Sequence, residues 1–159
     1  MKQLPSSYSA KETESKLRET WNEEGVFKAN PESEKPHFCV MMPPPNVTGV
    51  LHMGHAMDNT LQDILVRWHS MQGYDVLWVP GTDHAGIATQ TVVEKHLIKT
   101  EGKRRCEYER EEFVSRIFDW KEKSQSRIIE QLKAVGCACD WSHLRFSMDE
   151  VCSKAVRTM

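Results

Sequence analysis

Three consecutive prolines, Pro43 to Pro45, constrain the fold of this chain more than any other feature. A proline ring fixes φ and removes the backbone N–H, so the run can neither extend a helix nor pair inside a sheet. The apolar residues 38–42 must therefore end there, and we predict that they form a buried strand. A helical apolar pattern follows over about residues 54–72 and ends at Gly73.

The same order of elements comes again directly downstream. Residues 74–79 form a second run of β-branched and aromatic residues, which Pro80 and Gly81 end. The residues after it predict another helix, with Thr82 or Asp83 as candidate caps. Two successive strand, loop and helix units are typical of a parallel sheet with crossover helices, so we predict an α/β, Rossmann-like fold.

Helices are also predicted on both sides of this unit. Ser9 and Glu12 have capping-box spacing, and residues 10–24 have the pattern of a short helix. Residues 109–136 carry apolar side chains at three- and four-residue intervals, which predicts a long helix, with a break near residues 124–126 as the alternative. Four tryptophans have apolar neighbours and are interpreted as core residues: Trp68, Trp78, Trp120 and Trp141.

Composition narrows the class of protein. With 39% hydrophobic and 28% charged residues, the chain resembles ordinary globular domains. No apolar run approaches the roughly 18 residues of a membrane span, and the N-terminus is unlike a targeting signal. Five cysteines without CxxC spacing indicate free thiols in a reducing compartment. We therefore expect a cytoplasmic protein, and its net charge of −2 gives little general attraction for nucleic acid.

The segment that follows the first predicted strand has the residues of a nucleotide site. Ligands of open parallel sheets bind beyond the carboxyl ends of the strands, and anions favour the next helix N-terminus. His52 and His55 lie at that helix start, three residues apart, and can donate hydrogen bonds to phosphate oxygens. Gly49 and Gly54 permit close approach of the backbone to a ligand. Neither GxxxxGK[ST] nor GxGxxG is present, which argues against a P-loop or a dinucleotide site.

The tetrapeptide HMGH at residues 52–55 matches the HIGH signature of class I aminoacyl-tRNA synthetases. Its flanks, PPPNVTGVLHMGHA and the later LWVPGTDHAGIATQ (residues 77–90), resemble the valine-specific members of that family. The similarity runs from Tyr8 to the end and includes residues 109–113 and 139–150. The resemblance implies a HUP-type Rossmann-like sheet with flanking helices, of which this chain holds the first half only.

The resemblance also implies a reaction and a set of site residues. Members of the family let an amino acid carboxylate attack the α-phosphorus of ATP, release pyrophosphate, and pass the aminoacyl group to tRNA. By this resemblance His52 and His55 stabilise the phosphates, with Thr48 and Gly54 also at the ATP. Pro43 and Pro44 would line the amino acid pocket, while Asn46 and Asp83 would hold the substrate. The expected ligands are valine, ATP as its Mg²⁺ complex, and tRNA(Val) in the full-length enzyme.

The chain also departs from the family pattern. It has no KMSKS-type loop, editing insertion or anticodon-binding part. We therefore expect an N-terminal fragment with little or no aminoacylation activity. Residues 1–36 are expected to form a helical extension and linker, and residues 37–159 an incomplete catalytic domain. A monomer without a protein-bound metal is expected.

Other interpretations of the same residues stay open at this stage. His52, His55 and His84 offer three imidazoles for a zinc ion, although their spacing matches no metalloprotease motif. Cys137 and Cys139 with His143 form a second candidate cluster, for which packed free thiols are the simpler interpretation. The chain as a whole could instead be another nucleotidyltransferase of the HxGH superfamily, or a noncatalytic nucleotide-binding or regulatory module.

Overall fold

The computed structural model describes residues 7–159. In these residues five α-helices and four short strands follow one another: α1 (Ala10–Glu24), β1 (His37–Met41), α2 (Met53–Met71), β2 (Asp75–Val79), β3 (Gly81–Thr82), α3 (Ile87–Glu101), α4 (Arg110–Val135), β4 (Arg145–Phe146) and α5 (Glu150–Thr158). Short 3₁₀ turns lie at Arg105–Glu107 and Trp141–His143. Within this part of the chain, no helix combines the length and the apolar character needed to cross a membrane.

The strands pair in parallel, as the order of elements predicted. β1 pairs with β2 in a register that places His37 opposite Asp75 and Met41 opposite Val79. Pro80 separates β2 from β3, and β3 pairs in parallel with β4. Asn46 and Asp83 form one further parallel bridge beyond these strands. An α/β architecture is therefore confirmed, although within residues 7–159 each sheet has two strands.

The core lies between the strands, the inner face of α2 and the C-terminal half of α4. Ile128 of α4 and Trp78 are fully buried in it, and Leu132 of α4 is 1% exposed. Met42 and Val47, on either side of the proline run, belong to the same cluster. The segment that follows β1 is thus attached to the core at both of its ends.

Two local predictions about helix caps are wrong, while the prediction of one long fourth helix is confirmed over its alternative, a break. Ser9 is the N-cap of α1, but its side chain makes no capping hydrogen bond. α4 runs without interruption through residues 124–126. Neither Thr82 nor Asp83 caps α3, which has Gly86 as its N-cap. The chain is extended at Thr82 because it pairs with β4, and positive φ angles at Ala85 and Gly86 delay the helix until Ile87.

The tryptophans divide between core and surface. Trp78 is buried as predicted, whereas Trp120 and Trp141 are half-buried at the edges of core clusters. Trp68 is 49% exposed, so its assignment to the core is wrong. The reason is that the apolar side of α2 faces away from the strands, while a polar side packs against them.

The N-terminal segment packs against the rest of the described chain. Trp21 and Phe27 pack edge to face, and the Arg67 guanidinium lies over both rings. The Ala29 N–H donates to the carboxylate of Asp140. A division between residues 36 and 37 stays a prediction.

Candidate functional site

A cavity of about 460 Å³ lies between the proline run and the start of α2. Seven residues predicted from the sequence line it: Pro43, Pro44, Asn46, Thr48, His52, Gly54 and His55. Asp58, one turn into α2, is a lining residue that the sequence patterns did not single out. Asp83, the eighth predicted residue, is outside the lining.

His52 and His55 cap α2 reciprocally. His52 is the N-cap in an extended conformation, and its Nδ1 accepts from the Gly54 N–H at 3.1 Å. The backbone N–H of His52 donates to His55 Nδ1 at 3.3 Å. The pair thereby satisfies N–H groups that the first turn of a helix leaves without partners. Their ring centroids are 4.0 Å apart.

This capping fixes the tautomers of both imidazoles. Each Nδ1 accepts a hydrogen bond, so in the neutral ring the proton resides on Nε2, which becomes a donor. Burial holds the pKa of His55 below its usual value of 6.5, and His52 lowers it further against the opposing effect of Asp58. Two N–H donors beside a helix N-terminus form an arrangement suited to an anion.

Gly54 is needed for the position of the His52 ring. A Cβ built on Gly54 would lie 2.9 Å from Cε1 of His52 and 3.0 Å from its Nδ1. Real side chains do not come this close, so any other residue would displace the ring or the backbone. At Gly49, by contrast, a Cβ would meet no atom within 4 Å.

The loop after β3 lies beside the proline run through backbone pairing. The Val47 N–H donates to the Asp83 carbonyl at 3.0 Å, and the Asp83 N–H donates to the Pro45 carbonyl at 2.8 Å. The Asp83 carboxylate accepts from the Ala85 N–H at 2.9 Å, so it closes a turn rather than capping α3. That turn holds Ala85 at φ +52°, a left-handed conformation that non-glycine residues adopt at a cost of about 1 to 2 kcal/mol.

Several groups determine the charge state of Asp83. Burial by itself would raise its pKa, but hydrogen bonds from Ser147 and the Ala85 N–H, together with the nearby His84, outweigh burial and lower the pKa. The carboxyl group is therefore ionised at neutral pH. An ionised carboxylate beside Asn46 is a reasonable partner for an ammonium group.

The two alternative metal clusters do not assemble. Across residues 7–159 no three His, Cys, Asp or Glu side chains come together in a way that could hold a metal ion. The ring of His84 is 2.7 Å from Ser147 Oγ. Cys137 and Cys139 are buried, and burial raises the pKa of the Cys137 thiol to about 12. His143 instead contacts the Asp140 carboxylate at 3.1 Å.

Comparison with known proteins reveals extensive similarity. Residues 16–159 match the family described as tRNA synthetases class I (I, L, M and V). The chain is 62% identical over 159 residues to a valine–tRNA ligase of Protochlamydia amoebophila, which covers all of this chain and 17% of the relative. A valine–tRNA ligase of Chlamydia trachomatis serovar L2 is 57% identical over 155 residues, covering 98% of this chain and 16% of the relative. The chain thus spans about a sixth of the length of these relatives.

A solved structure supports the fold. The chain is similar to the LeuRS in a ternary LeuRS–tRNA–LeuAMS complex from Agrobacterium radiobacter K84, with a TM-score of 0.77 and 18% sequence identity. The similarity covers 96% of this chain and 18% of that one. The extent of the family match, together with the identity to these relatives, means that this chain belongs to the class I tRNA synthetases (I, L, M and V).

Proposed function

We propose that this chain forms the first half of the catalytic domain of a valine–tRNA ligase, within a HUP-type Rossmann-like fold. Such an enzyme activates valine with ATP, releases pyrophosphate, and transfers valine from valyl-adenylate to tRNA(Val) in the cytoplasm. The observation that carries the proposal is the reciprocal capping of His52 and His55, which leaves two Nε2–H donors at the start of α2. Identity of 62% to a valine–tRNA ligase supports valine as the amino acid.

The phosphates of Mg²⁺–ATP bind at the N-terminus of α2 in this proposal. Both Nε2–H groups donate to phosphate oxygens, where negative charge increases as valine attacks the α-phosphorus. The glycine at position 54 keeps the His52 ring in place, and Thr48 supplies a hydroxyl in the same cavity. These residues act by positioning and by electrostatic stabilisation, without becoming covalently attached to substrate.

Valine binds at the other part of the same cavity. Pro43 and Pro44 supply a rigid apolar wall without backbone N–H groups, which suits a small branched side chain. Asn46 and the ionised Asp83 hold the α-ammonium group, since their backbones pair directly. Asp83 lies outside the lining of this cavity, on the loop whose backbone pairs with Asn46.

The phosphate role is tested by variants that preserve the helix cap. His52→Asp keeps an N-cap acceptor and His55→Glu keeps a capping-box acceptor, and neither carboxylate carries an N–H donor. Each change is expected to weaken Mg²⁺–ATP binding by about tenfold, measured by calorimetry, because a hydrogen bond to a charged group is lost. His37→Ala, at the opposite end of β1, is the control. Unchanged affinity in both cap-preserving variants would contradict the proposal.

A second test separates a catalytic part from a noncatalytic module. Asp83→Asn is expected to weaken valine binding and to leave ATP binding nearly unchanged. The 159-residue chain is expected to support little or no valine-dependent exchange of pyrophosphate into ATP. Exchange at a rate near that of a full-length synthetase would show that these residues alone form an active site. Valine binding that is unchanged in Asp83→Asn would favour a regulatory module.

A further inference from the structure

Helix α4 contacts the backbone of the candidate site at two points that the sequence patterns gave no reason to expect. The indole Nε1 of Trp120 donates to the Val47 carbonyl at 3.0 Å. The side-chain oxygen of Gln131 accepts from the Leu51 N–H, also at 3.0 Å. Val47 and Leu51 lie on either side of Thr48, and Leu51 directly precedes His52.

The geometry of α4 makes these two contacts act together. Eleven residues separate Trp120 from Gln131, close to three helical turns, so both side chains project from one side of the helix and lie about 16 Å apart along its axis. Residues 47–49 form a turn and a bend. Helix α4 therefore contacts this turn at its start, through Val47, and just after its end, through Leu51.

A third contact extends the same support to the neighbouring loop. Gln125 Nε2 donates to Thr82 Oγ1 at 3.1 Å, and Thr82 is 1% exposed. Thr82 directly precedes Asp83, whose backbone pairs with residues 45 and 47. One helix thus contacts the segment after β1 and the strand residue that directly precedes Asp83.

The contact at Leu51 affects the histidines through the chain. The peptide that joins Leu51 to His52 carries the His52 N–H that donates to His55 Nδ1. A rotation of the loop after the loss of the Gln131 contact would move this N–H and change the orientation of both rings. Val47 is 1% exposed, so its carbonyl would lose a buried partner if the Trp120 donor were removed.

We propose that Trp120 and Gln131 are positioning residues, which hold the segment 47–51 so that His52 and His55 present their Nε2–H groups to the phosphates. This inference rests on the proposed function for the role of the two histidines. It assigns α4, far away in the sequence, a role in the geometry of the nucleotide site beyond its contribution to the core.

The test uses four variants of the 159-residue chain. Gln131→Met removes the acceptor, Gln131→Glu retains an acceptor of similar length, and Trp120→Phe removes the N–H donor but keeps a ring. Gln90→Met, on the exposed surface of α3, is the matched control. For each variant we would measure the thermal midpoint, the Leu51 amide exchange rate, the imidazole resonances of His52 and His55, and the affinity for Mg²⁺–ATP.

Gln131→Met and Trp120→Phe are expected to shift the resonances of both imidazoles and to weaken ATP binding about fivefold to tenfold. Leu51 amide exchange accelerates about fivefold or more in Gln131→Met. Gln131→Glu restores the imidazole resonances, which a purely structural effect of the substitution would not do. Unchanged imidazole resonances in Gln131→Met overturn the inference whether or not ATP binds. Failure of the unsubstituted chain to bind ATP would count against the proposed function. It would leave this inference testable, because the imidazole resonances are measured without the nucleotide.

Discussion

Helix α2 has two faces of opposite character, and the polar face is the one that packs inward. On that face the Asp63 carboxylate accepts from the Ala138 N–H at 2.8 Å, and Gln62 accepts from the Trp78 indole at 3.1 Å. The outward face carries seven large apolar side chains that are between 45% and 82% exposed: Met53, Met57, Leu61, Ile64, Leu65, Trp68 and Met71. Val66 is the large apolar residue that the inward face buries.

The difference arises from what the core leaves unsatisfied. Trp78, Cys137 and Ala138 are buried and Gly136 is half-buried, and buried polar groups need hydrogen-bond partners. Gln62, Asp63 and Arg67 supply them. The apolar residues do recur at helical spacing, but the face that they form is exposed, because the face with Gln62, Asp63 and Arg67 is the one that packs on the core. Helical periodicity therefore identified a surface without identifying its partner.

The largest effect is expected where a charge replaces an inward apolar group. Val66 is 2% exposed, and Val66→Asp buries an uncompensated carboxylate, which should lower the free energy of unfolding by about 3 to 5 kcal/mol. Leu61→Asp, on the outward face, should lower it by less than about 1 kcal/mol. Urea denaturation of the two variants measures the contrast. Similar losses in both would mean that the outward face is also packed.

A smaller effect is expected from the polar contacts of the inward face. Asp63→Ala leaves the Ala138 N–H without its acceptor and removes the partner of Arg67, at a cost of about 2 kcal/mol. Asp58→Ala removes an exposed acceptor of the same helix and should cost less than about 0.5 kcal/mol. Equal free energies of unfolding for the two variants, measured by urea denaturation, would refute the stabilising role of the polar face.

Changes confined to the outward stripe should alter surface properties more than stability. The double variant Leu61→Lys with Trp68→Lys is expected to change the unfolding free energy by less than about 1 kcal/mol. It should also bind less of the dye ANS than the unsubstituted chain, because exposed apolar area is removed. Thr60→Lys with Ser70→Lys adds the same charges without removing apolar side chains and is the control. Equal dye binding by both double variants would argue that the stripe is already covered.

The smallest expected effect concerns the inward face at its N-terminal end. Burial and the adjacent His52 lower the pKa of His55, so its titration midpoint, measured by NMR, should be below 6.5. The folded state then binds fewer protons than the unfolded chain, and the contribution of His55 to stability is present above pH 6.5 and is lost as pH falls through the folded pKa. His52→Asn should raise the midpoint part of the way back. A midpoint above 6.5 would show that the ring is less enclosed than its contacts indicate.

The residues that line the candidate site were more predictable than the residues of α4 that contact its backbone. Pro43, Asn46 and His55 could be found because they lie within fourteen consecutive residues. The conformation of a loop and of a helix start depends mainly on residues that are neighbours in the sequence. Asp83 lies next to Asn46, but through backbone pairing and not through a shared cavity lining, and a joint role in holding substrate stays a prediction. Trp120 and Gln131 were missed as site residues because their contacts cross 73 and 80 positions of the chain.

By itself the sequence determined where the main helices and the first two strands lie, which local segment caps α2 with imidazoles, and to which family the motifs belong. Each of these depends on neighbouring residues: proline ends a strand, and His52 and His55 meet because they are one helical turn apart. Only the tertiary structure decided which face of α2 is buried and which helix holds the loop after β1. Those outcomes depend on buried donors and acceptors from distant segments finding one another, and periodicity contains no information about such partners.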